Sequence, residues 1–199
     1  MATAAAAHAA TVNLNADRHI ARWRPLVQWL LAIPHLLIVQ ALQTLRGILT
    51  LVALASVLFT KRIPRPLFEA IAMTYRYEWR AVSYALFLHD DYPPFDFNPS
   101  ADDDGHARSI GLAIAYPENL NRWKPLYKWL LAIPQYVACA GLAVASIVTI
   151  VFGGVAVVVT GAYPEGARRF LVHAYRYSVR VQAYIGLLTD EYPPFRLAD

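Results

Sequence analysis

Cysteine is nearly missing from this chain: Cys139 is the only one, which excludes a disulfide framework and a thiolate metal centre. Charge is scarce as well, at 16% of residues against about 25% in an ordinary soluble domain. The six histidines, at positions 8, 19, 35, 89, 106 and 173, form no HxxxH or HExxH arrangement, so no helical zinc site is encoded. Gly-rich phosphate loops, a nucleophile elbow and a Cys–His pair are all lacking, which leaves catalysis, metals and cofactors without a motif. There is no basic domain apart from the apolar stretches, so nucleic acid is not an expected partner. The stretch from Met1 to Asn15 contains no Lys or Arg. It does not read as a signal peptide, and residues 1–18 are expected to form a disordered cytoplasmic tail.

What the chain does have is apolar length. Hydrophobic residues make up 57% of it, with a mean hydropathy of +0.35, and the excess is concentrated in two places. Tyr136 to Thr160 carries no charge, and Leu36 to Thr60 carries only Arg46. Eighteen or more apolar residues in a row mark a membrane candidate. The two runs belong to an internal repeat with a spacing of 100 residues. Trp29 to Pro34 (WLLAIP) returns at Trp129 to Pro134, and YRYxxR at Tyr75 to Arg80 returns at Tyr175 to Arg180. Tyr92 to Phe95 (YPPF) returns at Tyr192 to Phe195. Aligning 19–95 with 119–195 gives 25 identities over 77 positions. A period of this kind governs the whole fold. It divides the chain into the tail 1–18, a first membrane repeat over 19–95, an acidic linker over 96–109, and a second membrane repeat over 110–199.

Each repeat has three parts. The first is a basic–aromatic opening (Arg22-Trp23-Arg24-Pro25; Arg122-Trp123-Lys124-Pro125), with proline placed where a helix start tolerates it and Trp beside a cation, as at a membrane interface. The second is the apolar run. The third is an amphipathic helix, Pro66 to Leu88 or Gly166 to Leu188, closed by YPPF. Such a helix suits either an interfacial position attracted to anionic lipid or the polar edge of a bundle. The expected fold class is therefore an all-α integral membrane protein of two tandem repeats. The apolar run of 35 residues would reach roughly 50 Å as one helix, longer than the bilayer core. It could make one span behind an interfacial helix ending at Pro34, or a hairpin turning near Arg46-Gly47 and Ala145-Ser146. Single spans would divide the flanking cations 9 against 8, whereas hairpins place 17 on one side and only Arg46 opposite. Because cytoplasmic flanks collect Lys and Arg, hairpins are favoured: a multi-pass protein of the cytoplasmic membrane, with both termini, the linker and both YPPF motifs inside.

Two groups of side chains stand out. Asp90 and Asp190 follow helices whose dipole disfavours negative charge, so they need partners. The nearest repeated cations are Arg76, Arg80, Arg176 and Arg180. With Tyr84 and Tyr184 they make a candidate clamp, structural or interactive, that ties the closing segment to the amphipathic helix. Trp23, Trp29, Trp123, Trp129, Tyr92, Phe95, Tyr192 and Phe195 are candidate interface anchors. His35, just after Pro34, is expected to satisfy backbone groups that the proline frees rather than to bind haem or metal.

The pattern WLLAIP…TGxYP…YRYxxRVxAY…TDxYPPF resembles a bacterial family of membrane proteins catalogued as a domain of unknown function, once per repeat. Leu130 to Pro134, Thr160-Gly161, Tyr163-Pro164, Arg180-Val181, Ala183-Tyr184 and Thr189 to Phe195 carry the resemblance. The first repeat departs from it with Lys61-Arg62-Ile63 and Glu78-Trp79. The resemblance implies bacterial membrane residence and no activity. The functional expectation is a non-catalytic accessory or scaffold subunit of a membrane assembly. Its partners would be the lipid bilayer, anionic at the cytoplasmic face, and a protein partner or a second copy. A small transporter or channel component and a membrane enzyme acting on lipid are the alternatives.

Overall fold

A computed structural model describes residues 10–14, 20–98, 110–117 and 120–197. The apolar run of the first repeat is one helix, α1 (Arg24–Thr60), with Pro34 inside it. This corrects the hairpin expectation, and with it the four crossings that two hairpins would make. Gly47 alone costs a helix about 1 kcal/mol, too little to turn a chain whose neighbours all favour helix. In the second repeat the run is divided into α3 (Lys124–Leu131) and α4 (Ile133–Thr160), with only Ala132 between them. Ala132 N–H still donates to the Lys128 carbonyl, and Tyr136 N–H to the Ala132 carbonyl, both at 2.9 Å. The break is thus a local adjustment to Pro134. Ala145-Ser146 lies within uninterrupted helix.

Both long helices stop on a left-handed residue, Lys61 (φ 60°) and Gly161 (φ 78°). Glycine adopts this conformation freely, whereas lysine bears the Cβ penalty. The chain then reverses into α2 (Arg65–Ala85) and α5 (Glu165–Ile185). Each runs back along its long helix, so the end of α2 meets the first turns of α1. A second left-handed turn follows at Phe87 (φ 58°) and Leu187 (φ 65°), and it aims Asp90 and Asp190 at the long-helix starts.

The fold is not all-α. Ala10–Leu14 (β1) and Ile110–Ile114 (β2) pair antiparallel, with Val12 opposite Leu112. The expected tail therefore contains a strand; residues 1–9 and 15–18 of that tail, and 99–109 of the linker, lie outside the described residues. Val12, Ile110 and Leu112 are buried, and the Val12 carbonyl accepts from Arg176 of α5 at 2.9 Å. The core joins the ribbon to α2, α5 and the inner stripes of the long helices, through Phe68, Ile71, Trp79, Leu171 and Val179 together with Val57 and Val157. Trp79 stacks on Tyr175 across the two repeats at 4.4 Å. The repeats also cross-pin each other: Ile20 N–H donates to the Gly161 carbonyl at 3.1 Å, and Leu120 N–H to the Lys61 carbonyl at 3.4 Å. The start of each long helix thus lies at the end of the other, and the two run antiparallel.

Candidate functional site

The long helices are arranged with polar groups inside and apolar groups outside. On α1 the buried stripe is Pro25, Gln28, Ala32, His35, Val39, Arg46, Ala53 and Val57, three of them polar. Outside lie Leu26, Leu30, Leu37, Ile48, Leu51 and Phe59, and α4 likewise exposes Val137, Val148, Val151, Phe152 and Val159. Only 17% of the most apolar window of each helix is buried. The core helix of a soluble protein has the reverse pattern. By length and composition, both helices could cross a membrane. All eight candidate anchors (Trp23, Trp29, Tyr92, Phe95 and their repeat partners) are exposed.

Of the amphipathic helices, α2 is largely enclosed along its second half, and α5 is buried along one stripe. Along α2 the residues from Thr74 to Ala81, including Arg76, Glu78 and Arg80, are buried; α5 buries Tyr177 and Arg180 among others. The bundle-edge alternative is closer to this arrangement than an interfacial one.

Asp90 and Asp190 do tie the closing segments down, but to cations other than those expected. Asp190 Oδ1 lies 2.7 Å from Lys128 Nζ, and its Oδ2 lies 3.9 Å from Lys124 Nζ. Lys128 also donates to the Thr189 carbonyl at 2.6 Å and sits under the Tyr184 ring, 4.9 Å from its centroid. In the first repeat Asp90 pairs with Arg24 at 3.8 Å, and Arg24 also donates to the Asp90 carbonyl. Gln28 takes the place of Lys128 and donates to the Tyr84 and His89 carbonyls, each at 2.8 Å. The reason is geometric. Because α2 and α5 run back along the long helices, their C-terminal ends meet the first turns of α1 and α3, while Arg76 lies about 14 Å up the helix from the end of α2 at Ala85. Arg80 pairs with Asp96 at 3.7 Å, Arg180 donates to the Arg196 carbonyl at 3.2 Å, and Arg176 holds the ribbon as described. Arg80 and Arg180 thus hold the segment just beyond YPPF, Tyr84 and Tyr184 pack on Tyr92 and Tyr192, and Arg76 is buried in α2.

His89 is the titratable member of the first latch. Its Nε2 is 3.1 Å from Ser83 Oγ. Burial pushes its pKa down to about 4, against smaller upward contributions from Asp91, Asp90 and backbone hydrogen bonds. His35 is fully buried, with Nδ1 2.8 Å from the Tyr77 hydroxyl and its ring stacked on Phe95 at 4.5 Å. It anchors YPPF rather than the backbone around Pro34. Gln135 does the same work in the second repeat, accepting from Tyr177 and donating to the Pro193 carbonyl at 2.8 Å.

The remaining charge inside the apolar run, Arg46, lies 2.7 Å from Glu78 and 3.9 Å over the Tyr75 ring. Both charges become serine in the second repeat, Ser146 and Ser178, where a cavity of about 250 Å³ lined also by Leu142, Ile147 and Tyr175 takes their place. Among the described residues, a cleft lies beside each latch. One, of about 340 Å³, is lined by Trp23, Arg24, Asp90 and Tyr92. The other, of about 640 Å³, is lined by Lys61, Arg122, Trp123, Lys124 and Asp190. Among the described residues no group of three or more His, Cys, Asp or Glu is placed to hold a metal.

Sequence reasoning overlooked Arg24, Lys124, Gln28, Lys128 and the Arg46–Glu78 pair. A signal for the last was present: positions 46 and 78 change together, both to serine, between the repeats.

The model of one family, a domain of unknown function (DUF4389), matches twice, over residues 22–96 and 122–196. The chain belongs to this family. Neither a curated protein nor a solved structure matches it. The two DUF4389 units begin at the basic–aromatic openings and end just past YPPF, so the latches and the His35 and Gln135 anchors lie inside the family unit. The β-ribbon lies outside it.

Proposed function

We propose that this DUF4389 protein is a non-catalytic accessory or scaffold subunit of a bacterial membrane assembly, resident in the cytoplasmic membrane. The observation that carries the reading is the outward apolar surface of α1 and α3–α4, formed while Gln28, His35, Arg46, Lys128 and Gln135 are turned inward. A surface of that size in water would aggregate; in lipid it needs no cover. The interior charges are held by one another and by backbone carbonyls, an arrangement that serves stability rather than transport. Length and composition allow α1 and α4 one crossing each, the coarsest form of a multi-pass disposition, but the placement of the ribbon opposes it. The cleft of Lys61, Arg122 and Lys124 beside Trp123 supports anionic lipid as a partner, since cations next to an interfacial Trp meet head-group phosphates.

Purification of the full chain from native membranes under mild detergent tests the proposal. A stoichiometric protein partner or a second copy, with anionic lipid retained, is the expected outcome. Solute flux in liposomes, or turnover of added phospholipid, would replace the scaffold reading with a transporter or an enzyme.

A further inference from the structure

Four observations bear on how the long helices sit in lipid. The exposed apolar face of α1 runs from Leu26 to Phe59, and that of α3–α4 from Leu126 to Val159. Thirty-four residues of helix extend about 50 Å, while a bilayer core is about 30 Å thick. Upright helices would leave about 20 Å of apolar surface in water.

The β-ribbon is attached at mid-length of the fold, since Val12 meets Arg176 near the centre of α5. Upright helices would place this two-stranded ribbon at bilayer depth, where unpaired backbone groups on an open edge cost several kcal/mol each. Asp96, paired with Arg80 of α2, is a further charge along the length of the fold rather than at its end.

The antiparallel pairing would put Arg22-Trp23-Arg24 and Arg122-Trp123-Lys124 on opposite faces of a membrane, giving equivalent basic–aromatic motifs unlike surroundings. Helices lying flat put both in the same interface, and they put the flanking cations on one side. Finally, α2 and α5 lie against the narrow polar stripes of the long helices, and the ribbon packs on α2 and α5. That gives the molecule one apolar side and one polar side.

We infer that α1 and α3–α4 lie in the plane of one leaflet as an antiparallel two-helix raft. The chain is seated on one face of the bilayer without crossing it, with α2, α5 and the β-ribbon toward water. The partner of the raft is the acyl and head-group region of that leaflet. This rests on the membrane reading proposed above and specifies its geometry.

Spin-label depth measurement tests it on the full chain in phosphatidylethanolamine–phosphatidylglycerol liposomes. Single cysteines replace the exposed residues Val27, Leu37, Ile48 and Phe59 in a Cys139→Ser background. The raft predicts one common depth for all four, about 5–10 Å below the phosphates. A profile deepest at Leu37 and Ile48 and shallow at both ends would overturn it in favour of a span. As a second readout in cells, Ala21→Cys and Thr60→Cys, at opposite ends of α1, should react with an impermeant maleimide from the same membrane face. Reaction from opposite faces overturns the raft. A chain that stays in the supernatant, with water-exposed labels at all four sites, would instead remove the membrane reading itself.

Discussion

At the residue scale, the two latches share a backbone path but differ in energy. Lys128 is buried, at 2% side-chain exposure, and Asp190 is mostly covered, at 17%, whereas Asp90 and Arg24 are at 48% and 29%. Removing one partner of a buried pair costs about 3–5 kcal/mol, and an exposed pair contributes about 0–1. Asp190→Asn should therefore lower thermal stability in detergent markedly, while Asp90→Asn changes it little. Adding Lys128→Gln, the residue of the first repeat, should recover most of the loss. Equal effects of the two Asp variants would contradict this account. A second compensation joins Gly153 to Tyr163, because a Cβ at 153 would collide with the Tyr163 ring. The first repeat has Ala53 with the smaller Ile63. Gly153→Ala should cost about 1–3 kcal/mol by overpacking, and Tyr163→Ile should rescue it in a double-mutant cycle read by thermal shift. His89 adds a pH dependence. Its folded pKa, about 4, lies below the ordinary 6.5, so the unfolded chain takes up the proton first. The neutral-histidine stability is complete above pH 6.5 and is lost as pH falls toward 4, by at most about 3 kcal/mol. Melting curves of wild type and His89→Thr, the residue of the second repeat, should diverge only in that window.

At the scale of elements, the sequence was legible wherever local chemistry decides and misleading where contacts between elements decide. Pro25, Pro66, YPPF and the apolar periods placed the helix starts and the closing segments correctly. The turn expected at Arg46-Gly47 follows from the flanking cations, which a hairpin gathers on one side with Arg46 alone opposite. In the fold Arg46 needs only Glu78, which is 32 positions away and was read as a departure from the family pattern. The strands are not legible because five residues each, ATVNL and IGLAI, alternate too briefly to stand out. The latch arginines were misassigned because an i, i+4 step along α2 is visible in sequence, whereas the reversal that brings α1 to its end is not. The Arg46–Glu78 pair gives a prediction for this scale. Glu78→Gln leaves Arg46 buried without its counter-charge and should destabilise by about 3–5 kcal/mol. Replacing both by the serines of the second repeat should cost less than Glu78→Gln alone. A double variant that melts lower than the single one would show that the pair is also needed for packing.

At the scale of the molecule, the two halves are joined at several separate places. Trp79 on Tyr175, the ribbon, and the Ile20–Gly161 and Leu120–Lys61 bonds all join one repeat to the other. Residues 1–99 and 100–199 produced separately should each lack a stable fold, with weak circular dichroism cooperativity and rapid proteolysis. Produced together, they should associate and regain resistance. A half that folds and resists protease alone would contradict this.

The reciprocal pinning has a further consequence. If each half completes the other, one half repeated twice by two separate chains would build the same framework as a symmetric homodimer, and the present chain corresponds to that dimer with its subunits fused. Symmetry in a homodimer forces every substitution to occur twice. Fusion releases that constraint, and the differences between the halves record its use: glutamine facing lysine at 28 and 128, histidine facing glutamine at 35 and 135, and an ion pair facing a cavity at 46 and 146. At 46 and 78 one half holds an ion pair in its interior while the other keeps an open space there, so the two interiors are chemically distinct although the framework around them is shared.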